Sequence, residues 1–121
     1  MTRILVVDDS AFMSRLIGHA LAEAGYQVIS AENGLEALAC LREHPAALVF
    51  LDLEMPVMGG LETLAALRAK PHMANTPVVV LTSRGQEQDY LAAMAAGASA
   101  YLTKPFSSVE IVQIVEQLLR K

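Results

Sequence analysis

The sequence has 121 residues, 54% of them hydrophobic and 18% charged, with a net charge of −4. That length makes one domain, and the apolar content is too high, and the charge too low, for a disordered chain. One cysteine, Cys40, excludes an internal disulfide and a cysteine-built zinc cage. No apolar run reaches the roughly 18 residues of a membrane span, and an acidic chain without Trp disfavours nucleic-acid binding.

Short apolar runs alternate with segments of helical period. Ile4-Leu5-Val6-Val7 is the first predicted strand; it is too short for a signal peptide, and a reducing cytoplasm is the expected compartment. Phe12, Leu16, Ala20 and Ala24 then recur every fourth residue, with Met13, Ile17 and Leu21 beside them and Gly25 as the helix stop. Residues 27–31 form a weaker second strand. Leu35, Leu38 and Leu41 mark a second helix, closed by Pro45. Residues 47–51 are the third strand, and Leu61, Leu64 and Leu67 mark a helix that ends before Pro71. Residues 78–81 are the fourth strand, followed by Leu91, Met94 and Ala95 on a helix stopped at Gly97. Residues 100–102 are a short fifth strand. Ile111, Val112, Val115, Leu118 and Leu119 mark the last helix, with Ser107 or Ser108 to cap it and Glu110 in its first turn.

The first, third and fourth runs are apolar throughout, as strands buried on both faces are. Five strand-then-helix units predict an α/β fold over residues 1–121: a doubly wound, five-stranded parallel sheet of order 2-1-3-4-5 with five helices.

In such sheets ligands bind beyond the carboxyl ends of the strands. Strand 1 ends in Asp8-Asp9, strand 3 in Asp52 and strand 4 in Thr82-Ser83, while strand 5 leads into Lys104-Pro105. Each has a plain structural reading: Asp9 or Ser10 as a helix cap, Lys104 and Asp52 as loop residues, Thr82 as a strand-end turn. Their coincidence at one edge points to chemistry. Carboxylates on neighbouring strands, about 5 Å apart, repel one another, and a hard divalent cation such as Mg²⁺ relieves that. With Lys104 and the Thr82 hydroxyl beside the metal, the edge becomes a phosphate pocket. Asp52 is central, and a carboxylate nucleophile gives an aspartyl phosphate.

These residues resemble the receiver domain of bacterial two-component response regulators, most of all the single-domain, chemotaxis (CheY-like) type. The resemblance covers the whole chain and rests on residues 4–10 (ILVVDDS), 52–60 (DLEMPVMGG), 79–83 (VVLTS) and 100–106 (AYLTKPF). It implies that Asp52 is phosphorylated by a histidine kinase or phosphotransfer protein. It also implies that Asp8, Asp9, Asp52 and the backbone carbonyl of Glu54 hold Mg²⁺, and that Lys104 pairs with the phosphate. Thr82 would bond a phosphate oxygen, and Tyr101 would change rotamer with it. Binding of a downstream protein would then change on the face of helix 4, strand 5 and helix 5. The chain would be a switch rather than an enzyme, catalysing only its own phosphoryl transfer and autodephosphorylation. It would be a monomer or a phosphorylation-dependent dimer. The Lys104–Pro105 bond is expected to be cis. Glu54 and Arg84, each two residues past a site residue, are expected to tune the phosphate's lifetime.

Two other functions are weaker. A flavin carrier of the same topology would not place two carboxylates where it binds phosphate. An aspartyl-nucleophile phosphatase needs a second aspartate where this chain has Glu54. His19, His44 and His72 show no metal spacing.

Overall fold

The computed structural model describes residues 2–83 and 87–120. Its strands are β1 (Arg3–Val7), β2 (Gln27–Ala31), β3 (Leu48–Asp52), β4 (Val78–Thr82) and β5 (Ala100–Thr103). They alternate with α1 (Ala11–Glu23), α2 (Gly34–Glu43), α3 (Gly60–Ala69), α4 (Glu87–Ala95) and α5 (Ser108–Leu119). All strands pair in parallel in the order β2-β1-β3-β4-β5. A 3₁₀ turn at Pro71–Met73, between α3 and β4, was not foreseen from the sequence.

The three inner strands alternate their side chains between two cores. Leu5, Val7, Val49, Leu51, Val78 and Val80 pack with Ala37, Leu41, Leu64, Leu67 and Ala93 of α2, α3 and α4. Ile4, Val6, Leu48, Phe50, Val79 and Leu81 pack with Ile17, Leu21, Ile111 and Val115 of α1 and α5. This two-sided burial is why those runs carry no polar alternation. Fully burying one such Leu, Ile or Phe contributes about 1.5–3 kcal/mol. The edge strand β2 is half-exposed, which explains its weaker pattern.

Helix ends follow local chemistry. Ser10, not Asp9, caps α1, its hydroxyl accepting from Met13 N at 3.2 Å. Ser107 caps α5 reciprocally with Glu110, whose carboxylate accepts from Ser107 N at 2.9 Å. Gly25 and Gly97 follow α1 and α4 at φ of 97° and 106°. Gly60 opens α3 so close to the end of β3 that a Cβ there would lie 2.5 Å from the Asp52 carbonyl oxygen. Only glycine lets α3 begin that near the site.

Candidate functional site

Register brings the strand ends together. Val7 pairs with Leu51, so Asp8 follows β1 level with Asp52 at the end of β3. Asp52 pairs with Leu81, which puts Thr82 one step further along β4. Thr82 pairs with Thr103, and Lys104 N donates to Thr82 O at 2.7 Å, carrying the ladder one residue past β5. The Lys104–Pro105 bond is cis.

Asp8 and Asp52 are each 2% exposed and Thr82 is fully buried, whereas Asp9 is exposed. One carboxylate oxygen from each of Asp8, Asp9 and Asp52 lies within 4.8 Å of the other two. Lys104 Nζ stands 3.4 Å from Asp8 Oδ2 and 3.6 Å from Asp52 Oδ1. Backbone donors orient both buried acids. Ser10 N donates to Asp8 Oδ1 at 2.9 Å and Glu54 N to Asp52 Oδ1 at 3.2 Å.

Burial is the main force on Asp52 and Asp8 the next, and together they push its carboxyl up to about 6. The Glu54 N–H and the Lys104 ammonium oppose that rise only in part. Among the described residues, the carboxylates of Asp8, Asp9 and Asp52 outnumber the Lys104 ammonium beside them and leave excess negative charge at a partly buried edge. An oxygen-only, acidic donor set of this kind fits a hard cation such as Mg²⁺, which binds few carboxylates and keeps its own waters.

Glu54 takes a place the sequence did not reveal. Its Oε1 accepts from Thr82 Oγ1 at 2.7 Å and from Ser83 N at 3.3 Å, and its Oε2 from Ser83 Oγ at 3.0 Å. Burial pushes the Glu54 carboxyl up, but these donors outweigh it and hold the group below its ordinary value. Ser83 stands at the strand end where the sequence put it, but its bonds to Glu54, 29 residues away, could not be read from spacing. Arg84, the other expected tuning residue, lies outside the described residues. Tyr101 is half-buried on β5, its ring edge-on to Tyr90 of α4 with centroids 5.4 Å apart. In the loop after Asp52, Val57 is 76% exposed with φ at +69°.

A family model of the response regulator receiver domain matches residues 4–116. Among solved structures, the chain is similar to the chemotaxis protein CheY4 of Vibrio cholerae. The identity is 33% and the TM-score 0.94, over 98% of this chain and 99% of that one. A response regulator from Chloroflexus aurantiacus superposes with a TM-score of 0.95 at 30% identity, over 99% and 98% of the two chains. Among curated proteins, the transcriptional regulatory protein KdpE of Mycobacterium tuberculosis is 39% identical over all of this chain and 52% of its own length. ResD of Bacillus subtilis is 41% identical over 99% of this chain and 49% of its own. The chain therefore spans about half the length of these curated relatives. It belongs to the response regulator receiver domain family, whose role is phosphorylation-dependent signalling in two-component systems.

Proposed function

We propose that Asp52 is the phosphoacceptor and that residues 1–121 act as one receiver unit. The observation that carries this reading is the position of Lys104 Nζ, 3.4 Å from Asp8 and 3.6 Å from Asp52 at a carboxylate-rich edge. A carboxylate oxygen of Asp52 attacks the phosphorus of a phosphohistidine on a histidine kinase or phosphotransfer protein. The P–N bond breaks, and its electron pair leaves with the imidazole. Asp52 ionises near pH 6, so it is largely a nucleophilic carboxylate at neutral pH. Lys104 stabilises the charge gathering on the transferring group, which is most of what phosphoryl transfer asks of a protein. Asp8, Asp9, Asp52 and the Glu54 carbonyl would hold Mg²⁺, which would supply positive charge against the carboxylates and the phosphoryl oxygens.

The new phosphate brings roughly two negative charges and fresh acceptor oxygens. Thr82 donates to one of them, and Tyr101 shifts with Thr82. The face of α4, β5 and α5, where the half-exposed Tyr90 meets Tyr101, then presents a different surface to a downstream protein. The unit works in the cytoplasm as a monomer or phosphorylation-dependent dimer. It makes no nucleic-acid contact of its own and catalyses only its own phosphorylation and dephosphorylation. Among the described residues no helix is long and apolar enough to cross a membrane.

Incubation with Mg²⁺ and acetyl phosphate, followed by intact-mass measurement, tests the reading. A gain of one phosphoryl group that vanishes in Asp52→Asn and on adding EDTA is expected. No gain, or an unchanged gain in Asp52→Asn, overturns it.

A further inference from the structure

We infer that the Glu54 carboxylate is a built-in competitor of the phosphoryl group: it occupies the Thr82 and Ser83 donors in the resting chain, and phosphorylation must evict it. The inference rests on the reading of Asp52 as phosphoacceptor and adds a resting-state contact to it. Glu54 stands two residues after Asp52 and reaches across to the end of β4. There it takes hydrogen bonds from Thr82 Oγ1 at 2.7 Å, Ser83 N at 3.3 Å and Ser83 Oγ at 3.0 Å.

Two physical facts make this contact exclusive. A threonine hydroxyl carries one hydrogen to donate, so Thr82 serves either Glu54 or a phosphate oxygen at a given moment. Thr82 is also fully buried, so water is a poor substitute partner when one of the two anions is absent. The bonds to Glu54 are charge-assisted and so stronger than neutral ones. A phosphoryl group on Asp52 brings more negative charge than the carboxylate and repels it. The resting arrangement is thus held by one anion and the signalling arrangement by another. The difference between them sets how far phosphorylation shifts the population.

Two roles for Glu54 are separable. As a mere negative charge it would weaken any anion at the site, and Glu54→Gln would relieve that as fully as Glu54→Ala. As a clamp it acts through its hydrogen bonds. A glutamine oxygen still accepts from Thr82 and Ser83, so Glu54→Gln keeps a weaker clamp. Ser83→Ala leaves the net charge alone but removes the Oγ donor.

The test is a titration of each purified variant with beryllofluoride in Mg²⁺, followed by NMR of the Thr82 methyl group. The same resonance is also recorded with neither metal nor beryllofluoride. For a lost charge-assisted bond, affinity for beryllofluoride should rise roughly tenfold in Glu54→Ala, less in Glu54→Gln and about threefold in Ser83→Ala. The metal-free Thr82 resonance of Glu54→Ala should lie displaced toward its beryllofluoride-bound position. Equal gains in Glu54→Ala and Glu54→Gln with none in Ser83→Ala overturn the clamp and leave only a charge effect. So does an unmoved metal-free Thr82 resonance. Acetyl phosphate labelling of the same samples separates the two readings. If no variant gains a phosphoryl group on Asp52, the phosphoacceptor reading fails and takes the clamp with it. If all gain one, a negative titration counts against the clamp alone.

Discussion

The Arg68 guanidinium holds the carbonyl of Gly97 with two N–H groups, Nε at 3.0 Å and Nη2 at 2.8 Å. Its Nη1 donates at the same time to the carbonyls of Met73, at 3.0 Å, and Thr76, at 2.7 Å. One side chain of α3 thus ties the turn after α4 to the segment leading into β4. A planar fork of donors does this where a single ammonium cannot. Removing it strands partly buried carbonyls, so Arg68→Ala should cost about 1–3 kcal/mol, and Arg68→Lys should recover only a small part. A urea titration reads the loss. Arg68 works at the strand starts, opposite the carboxylates, so Asp52 labelling in the cold should be unaffected.

The raised Asp52 carboxyl sets a pH dependence. Between its ordinary value of 3.8 and about 6, the folded chain holds a proton there that the unfolded chain has released. The linkage slope is therefore negative: stability from this group is complete below pH 4 and lost as pH rises to about 6. Glu54, held below its ordinary value, acts with the opposite sign as pH falls. Comparing wild type with Asp52→Asn, both in EDTA, isolates the first effect. The variant should be more stable at pH 7.5, by no more than about 3 kcal/mol at about 1.4 kcal/mol per pKa unit, and near parity at pH 4. A difference in melting temperature that does not grow with pH would contradict this.

Lys104 Nζ stands 3.4 Å from Asp8 and 3.6 Å from Asp52, the two buried acids. Lys104→Ala removes the charge that opposes the rise of Asp52 and that, on the proposed mechanism, would meet the transferring phosphoryl group. Labelling of Asp52 by acetyl phosphate should slow by roughly ten- to a hundredfold, a barrier change of about 1.4–2.7 kcal/mol. The rate of mass gain in saturating Mg²⁺ measures it.

Val57 holds a φ of +69° while 76% exposed, so a β-branched residue adopts the left-handed region with little packing in return. That conformation costs an ordinary residue roughly 1–2 kcal/mol, and asparagine tolerates it better. Val57→Asn should stabilise the chain by about 1 kcal/mol, seen as a higher urea midpoint with an unchanged slope.

The inner strands were legible because burial on both faces leaves runs such as Val78–Leu81 without a polar residue. Helix ends were legible where one residue type does a local job, as Gly97 and Ser107 do. The 3₁₀ turn at Pro71–Met73 was not, because three residues carry no period. Asp8, Asp52, Thr82 and Lys104 could be assembled from the sequence because each directly follows or ends a strand, so topology alone aims them at one edge. The Glu54 contacts with Thr82 and Ser83 could not, because they depend on a rotamer reaching across strands rather than on any spacing. The four carbonyl bonds of Arg68 were hidden for the same reason.

The sheet order has one more consequence. Asp52 meets Asp8 from one side, and Lys104 arrives just past β5, so the assembled edge draws on residues 96 positions apart. During synthesis the acidic side chains emerge well before the ammonium that balances them. A nascent or misfolded chain in which β5 has not docked therefore presents an aspartate without its cation. The edge is complete, with its carboxylates balanced by Lys104, only once that last strand has docked.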